Sequence, residues 1–283
     1  MQSYAAVARF GTWLNLVPWR LDQPTSECER LVHNIPILEQ FEAIGLAQMD
    51  AVALMDRIDT KYVLSLSQLP TVLAALIDDY QVLQVEGVRL NRYRTLYFDT
   101  PNLDLYTSHH VGRPERYKVR SRAYLDSGVA FLEVKHKTAK GRTIKDRIRT
   151  ETLLTHLTPE ASQFVESLTP ACVHPLQPVL WNEFSRITLV SKRRAERATL
   201  DVNVRYRAGD SRAVLSGVVV AEIKQESVNR DSELVFQMRA LSLHPTSLSK
   251  YCIGMAMLYP GVKHNLFKPV LREIENVMRG NHG

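Results

Sequence analysis

Between Arg113 and Arg149 the chain carries twelve Lys or Arg against four Asp or Glu, a surplus of eight that exceeds the +6 net charge of all 283 residues. The charge is ordered as well as dense. Lys118, Arg120 and Arg122 fall two apart, as do Glu133, Lys135 and Lys137, and Lys145, Arg147 and Arg149. Successive side chains of an extended strand point to opposite faces, so a period of two gathers each triplet on one face. A helix would scatter the same residues around its circumference. The stretch is therefore constrained to consecutive strands, each presenting a row of cations, as expected of a surface that holds a polyanion.

The rest of the chain supplies more strands and a few helices. Strands are expected near 57–65, 81–87, 92–99, 115–124, 129–137, 143–150, 183–191, 196–206 and 217–225, many of them linked by Gly, Asp or Asn. Strand follows strand without a helix over 92–150 and 183–225, which implies antiparallel hairpins. Helices are expected from about Pro36 to Asp56, from Ser67 to Tyr80 with Ser67 as cap, from Thr158-Pro159 to Leu168, and at Asp231–Leu241, Ser247–Leu258 and Pro269–Met278. Pro170 to Pro178 reads as a connection between two β-rich halves of one domain. Residues 1–34 show no clear periodicity and read as an N-terminal arm, leaving 35–283 as a single domain.

An antiparallel sheet ordinarily turns its polar face to water. Here the polar faces are mostly basic instead of mixed in sign, and the helices at 67–80, 158–168, 231–241 and 269–278 each need apolar surface to cover. Packed outside a curved sheet, they would leave the charged face inside. Eight or nine strands can close around a lumen wide enough for side chains and one ligand. The expectation is an α+β fold: a closed antiparallel β-barrel with helices outside and cations inside.

Composition narrows the chemistry. The net charge favours anionic partners. Cys28, Cys172 and Cys252 are odd in number, widely spaced and form no CxxC, so they read as core or free thiols of a reducing compartment, with cytoplasmic location by default. No run of about 18 apolar residues is present to form a transmembrane segment, and the interrupted apolar start does not read as a signal peptide. Walker, GxGxxG, Ser-His-Asp and zinc spacings are absent from the sequence. His109-His110 reads as a surface loop, and His136 as facing away from Lys135 and Lys137.

Arg57-Ile-Asp59-Thr-Lys61-Tyr62 resembles the R-x-E-x-K-Y start of the VTC domain, the polyphosphate polymerase domain of vacuolar transporter chaperone proteins within the CYTH or triphosphate tunnel metalloenzyme superfamily. Thr95-Leu-Tyr-Phe98-Asp99-Thr100, Arg116-Tyr-Lys118-Val-Arg120-Ser-Arg122, Leu132-Glu133-Val-Lys135, Gly141-Arg142-Thr-Ile-Lys145, Leu200-Asp201, Glu222-Ile-Lys224 and Ser249-Lys250-Tyr251 follow in the family's order. The resemblance spans about residues 35–260 and implies a β tunnel that binds triphosphate and a divalent metal. Hydrolases and cyclases of the superfamily begin with E-x-E-x-K. Arg57 departs from that pattern toward the VTC branch, and Asp59 is shorter than the usual Glu.

The resemblance implies transfer of the γ-phosphoryl of ATP to a growing polyphosphate chain. Lys61, Arg120, Arg122 and Lys250 are its candidate catalytic cations, and Lys118, Lys135, Lys145 and Arg186 its candidate phosphate ligands. Arg suits phosphate because its planar fork binds two oxygens, while Lys acts as a point charge. Glu222 and then Glu133 are the candidate ligands for Mg²⁺ or Mn²⁺, with Asp201 third; Glu133 is alternatively an ion-pair partner of Lys135 or Arg120. ATP and inorganic polyphosphate are the expected partners, with a membrane partner protein left open. Of Tyr97 and Phe98, one is expected in the core and the other is available to stack on a base. A metal-dependent tripolyphosphatase and a non-catalytic polyphosphate-binding module are the competing readings. Specific nucleic-acid binding is disfavoured, because only Tyr117, Tyr124 and Phe131 interleave with the cations.

Overall fold

The protein is described by a computed structural model covering residues 35–51, 58–227, 229 and 231–280. Its core is one sheet of eleven strands. These are β1 (Glu42–Ile44), β2 (Ile58–Ser65), β3 (Tyr80–Leu83), β4 (Asn91–Asp99), β5 (Arg116–Tyr124), β6 (Val129–Lys137), β7 (Thr143–Thr150), β8 (Gln177–Ser191), β9 (Glu196–Ala208), β10 (Ser211–Val214) and β11 (Val218–Gln225). The main path runs β2-β11-β9-β8-β4-β5-β6-β7, antiparallel at every step. β10 pairs with β9 and β3 with β8, and β1 adds in parallel to β3.

β2 and β7 end this path, and no pairing joins them among the described residues. The sheet is therefore not closed as the strand count led us to expect. It is nevertheless strongly curled. Neighbouring strands lie about 4.8 Å apart, so five steps of a flat sheet would put β2 about 24 Å from β5. Yet the charge of Lys61 on β2 is felt at Lys118 on β5, and that of Glu222 on β11 at Lys135 on β6.

Alternation sorts the side chains. On the outer face Leu64, Ile187, Leu189, Leu200 and Ile223 pack with Leu69, Val72 and Leu73 and with Leu234 and Met238. These partners lie on two helices of the series α1 (Leu46–Ala51), α2 (Leu69–Ala74), α3 (Asp104–His110), α4 (Pro159–Glu166) and α5 (Glu233–Ala240), namely α2 and α5. Ala161 and Val165 of α4 cover Leu96, Phe98, Val119 and Leu132 further round the same face. Each such aliphatic chain, fully buried, contributes about 1.5–3 kcal/mol. Three helices thus lie outside, as expected.

The last two helices do otherwise. α6 (Lys250–Leu258) and α7 (Lys268–Gly280) pack with Val63, Val220, Tyr97 and Tyr206. Val63 and Val220 share the face of Lys61 and Glu222, so α7 fills one end of the inner side instead of covering the outside. At Gly254 a Cβ would lie 2.6 Å from the Tyr206 ring and 2.7 Å from Leu180, so only glycine lets α6 sit this close to the sheet. β9 stays in phase across a bulge at which Asn203 adopts φ 54°. One extra residue there lets Asp201 and Tyr206 share the inner face while Val202 packs outside.

Other boundaries also differ from the sequence reading. The helix expected from Pro36 to Asp56 is a 3-10 turn at Pro36–Gln40, then β1, then α1; residues 52–57 fall outside the described set. The spacing of Leu38, Phe41 and Ile44 looks helical, but β1 gains backbone partners from β3. α2 is shorter than expected, and the capping box is formed by Ser65 and Gln68 at the preceding 3-10 turn, not by Ser67. β8 begins at Gln177, six residues before the expected strand, and β10 was not anticipated. The N-terminal arm at 1–34 and Arg57 lie outside the described residues.

Candidate phosphate-binding face

Register brings the predicted site residues together. Lys118 on β5 faces Lys135 on β6, which faces Lys145 on β7; one step along, Arg120 faces Glu133. Arg186 on β8 faces Asp201 on β9, and Lys61 on β2 faces Glu222 on β11. Period two then places Arg122 beside Arg120, and Lys224 beside Glu222. Lys250 is the first residue of α6, capped by Ser249, and its ammonium reaches Asp201. All eight predicted cations share this inner face. Lys224, quoted in a motif but given no role, is a ninth; its two-residue offset from Glu222 was the signal.

Three carboxylates are held by pairs of these cations. Asp201 accepts two hydrogen bonds from Arg186, Nε at 2.5 Å and Nη2 at 2.8 Å, and a third from Lys250. Burial alone would raise its pKa, but Arg186 and Lys250 bring it down to about 2. Glu133 accepts from Arg120 Nε at 2.6 Å and pairs with Lys145. Against the effect of burial, Arg120, Arg122 and Lys145 hold it well below the usual carboxylate range. Glu222 accepts from Lys224 at 2.7 Å and lies 3.6 Å from Lys61; these cations likewise depress its pKa despite burial. The partner of Glu133 is thus Arg120 and not Lys135, and Asp201 pairs with Arg186 and Lys250.

Lys118, Lys135 and Arg122 have no carboxylate at ion-pair distance among the described residues. Arg122 donates to Thr95 Oγ1 at 3.0 Å. Burial lowers the pKa of all three, and the surrounding cations lower them further. Arg122, Arg186 and Lys250 lie over the stacked rings of Tyr93 and Phe184, at 5.0 to 5.7 Å from their centroids. Sequence reasoning missed these two rings because they belong to strands outside the basic stretch.

Asp99 anchors the first turn of α6 from another side. Fully buried, it accepts from the amides of Thr100, Leu105 and Tyr106 at 2.8–2.9 Å and from the Tyr251 hydroxyl. It thereby joins β4, the start of α3 and the residue next to Lys250. Tyr97 packs on Tyr251 at 4.9 Å and is 3% exposed, so neither Tyr97 nor Phe98 is open to a base.

His109 and His110 end α3 instead of forming a loop. Burial, reinforced by Lys118, pushes the pKa of His109 down to about 2, and its Nε2 lies 3.1 Å from the Tyr117 carbonyl. His136 stacks on Tyr117 at 4.3 Å, on the side away from Lys135. A cavity of about 540 Å³, lined by Tyr106, His110, Tyr259 and Lys263 among others, opens beside α3 and does not include the cationic face.

Among the described residues no three His, Cys, Asp or Glu converge as a metal site. Glu133 and Asp201 side chains are 0% and 2% exposed and enclosed by their cations, whereas Glu222 is 20% exposed. Glu222 is therefore the carboxylate that suits a divalent cation, provided that phosphate oxygens and water complete the shell. Asp59 stands across from Lys224 at the edge of the face.

This arrangement defines a class: a curled antiparallel sheet with a cationic inner face stiffened by ion-paired carboxylates. The chain belongs to the VTC domain family, which it matches over residues 56–259. No curated protein matches it. Among solved structures it is similar to a candidate adenylate cyclase from Vibrio parahaemolyticus (15% identity, TM-score 0.41, 70% of this chain and 97% of the other). A candidate adenylyl cyclase from Hippeastrum, described as having a dominant triphosphatase activity, is similar at 15% identity and TM-score 0.44, over 75% of this chain and 100% of the other. A protein from Pyrococcus horikoshii is similar at 13% identity and TM-score 0.40, over 71% and 98%. No helix among the described residues is long and apolar enough to cross a membrane.

Proposed function

We propose that the inner face binds ATP and the end of a polyphosphate chain, and transfers the γ-phosphoryl from one to the other. The observation that carries this reading is the set of cations without an ion-paired carboxylate: Arg122, which is buried, and Lys118 and Lys135, which are half-buried, crowd one face where a polyanion would relieve their repulsion. Phosphoryl transfer calls mainly for positioning and charge neutralisation, which fixed Arg and Lys groups supply. The bond from Pγ to the bridging oxygen breaks, releasing ADP. A terminal oxygen of the chain forms the new bond.

That acceptor oxygen is already anionic and needs no base to remove a proton. The site fits this. Its carboxylates are held ionised by cations and are weak bases, which favours a phosphate acceptor over water. Lys61, Lys118, Lys135, Lys145, Arg120, Arg122, Arg186 and Lys250 would hold the phosphates, and the N-terminus of α6 adds its dipole beside Lys250. Mg²⁺ or Mn²⁺ on Glu222 would neutralise charge on the phosphate oxygens.

Incubation of the purified protein with ATP and Mn²⁺ tests the reading. Long-chain phosphate on a gel is expected, and none with Arg120→Ala. Release of inorganic phosphate without polymer would favour the tripolyphosphatase, and binding without turnover would favour a non-catalytic module.

A further inference from the structure

A row of four rings crosses the inner face. Phe184 stacks on Tyr93 at 5.1 Å, Tyr93 meets Tyr124 at 5.0 Å, and Tyr124 meets Phe131 edge-on at 5.9 Å. The first two rings are 3% and 7% exposed and covered by Arg122, Arg186 and Lys250. Their role is to seat cations. The last two rings are half-buried, open to solvent on one side. The guanidinium carbon of Arg147 lies over Phe131, 4.4 Å from the ring centroid. Arg147 is exposed and has no carboxylate partner among the described residues.

Position matters too. Along β5 the order is Lys118, Arg120, Arg122, Tyr124, and Cys252 of α6 approaches the Lys118 end closely enough for the two groups to interact. Tyr124 and Phe131 therefore lie at the other end, beyond the phosphate-binding cations and away from the helices that fill the inner side. Rings add little to the grip on phosphate, but a base stacks on aromatic faces and on guanidinium planes.

We propose that Tyr124, Phe131 and Arg147 form a stacking site for the nucleobase of a nucleoside triphosphate whose phosphates lie on the adjoining cations. This rests on the functional reading above and makes the phosphoryl donor a nucleotide in preference to inorganic tripolyphosphate.

Calorimetry without divalent metal, so that nothing turns over, compares ATP with inorganic tripolyphosphate at one salt concentration. Phe131→Leu and Tyr124→Leu should each raise the ratio of the ATP Kd to the tripolyphosphate Kd about tenfold, within the range of base stacking on one ring. Arg147→Gln, which touches no core, should raise it about threefold. Tyr124→Phe, which keeps the ring, should leave it unchanged. An unchanged ratio in all the ring and Arg147 variants overturns the inference, as does equal weakening of both ligands, which assigns the rings to packing. In either case tight tripolyphosphate binding by the wild type leaves the functional reading standing. Wild-type protein that binds neither ligand overturns both.

Discussion

Arg186 and Lys250 share Asp201, and Arg120 and Lys145 share Glu133, whereas Lys118, Lys135 and Arg122 stand on the same face with no carboxylate of their own. The first group is organised by the protein itself. Removing a charge from the water costs several kcal/mol, and the shared carboxylates offset that while fixing each side chain's direction. The second group is also partly or wholly removed from water but has no carboxylate at ion-pair distance among the described residues. On the proposed function a ligand would supply the missing charge, and the contrast would then separate scaffold from grip on one surface.

The largest effect is expected where the scaffold is broken. Asp201→Asn leaves Arg186 and Lys250 buried without a counter-charge, and should lower unfolding free energy by about 3–5 kcal/mol in a denaturant titration. Lys118→Met under the same conditions should be neutral or stabilising, since it removes a desolvated charge. If both substitutions shift stability equally, the division into two groups fails.

The grip is tested by ligand. Lys135→Met and Lys118→Met should each weaken tripolyphosphate binding about 10- to 100-fold, as expected for a charged hydrogen bond of roughly 1.5–3 kcal/mol. Melting temperatures should hold. Both losses should shrink as salt rises, because phosphate contacts are screened.

Protons distinguish the groups as well. The folded-state pKa of Lys135 is well below that of an unfolded lysine, so the unfolded chain binds more protons between the two values and stability rises with pH there. A bound polyanion pulls that pKa back up. Tripolyphosphate binding at ~pH 9, below the ordinary lysine value of about 10.4, should therefore take up protons, read from the buffer dependence of the binding enthalpy. Asp201 behaves oppositely. Its pKa is depressed to about 2, so its contribution is present at neutral pH and lost as pH falls through the carboxylate range toward that value. Proton release on binding would sink the first expectation.

Much of this was legible because strand alternation is a short-range property. The spacing of Lys118, Arg120 and Arg122 fixes their common face wherever the strand ends up, and the same holds for Glu222 and Lys224. What partners each charge finds depends on register between strands far apart in sequence. Arg186 meets Asp201 across a hairpin interrupted by the Asn203 bulge, and no local pattern announces the match. Likewise the amphipathic stripe of α7 says that it covers something apolar, but not which side of the sheet. The first part of the helix expected over 36–56 gives way to a 3-10 turn and β1 for a related cause: spacings near three suit a helix or a broken chain, and only the edge of β3 decides.

Glu222 belongs to neither group cleanly, and the smallest effect is expected there. Lys224 donates to it at 2.7 Å, while Lys61 lies 3.6 Å away with its side chain 30% exposed. Removing Lys61 leaves the carboxylate held by Lys224, and a partly exposed pair as long as 3.6 Å contributes about 0–1 kcal/mol. Lys61→Met should therefore change stability by no more than about 0.5 kcal/mol and weaken tripolyphosphate binding only several-fold, because one edge cation of many is lost. With a divalent cation present the binding loss should shrink further, since a metal held by Glu222 would repel the Lys61 ammonium and would take over its share of the phosphate charge. A stability loss above 2 kcal/mol would instead place Lys61 with the scaffold and make Glu222 a third enclosed carboxylate, unsuited to a metal.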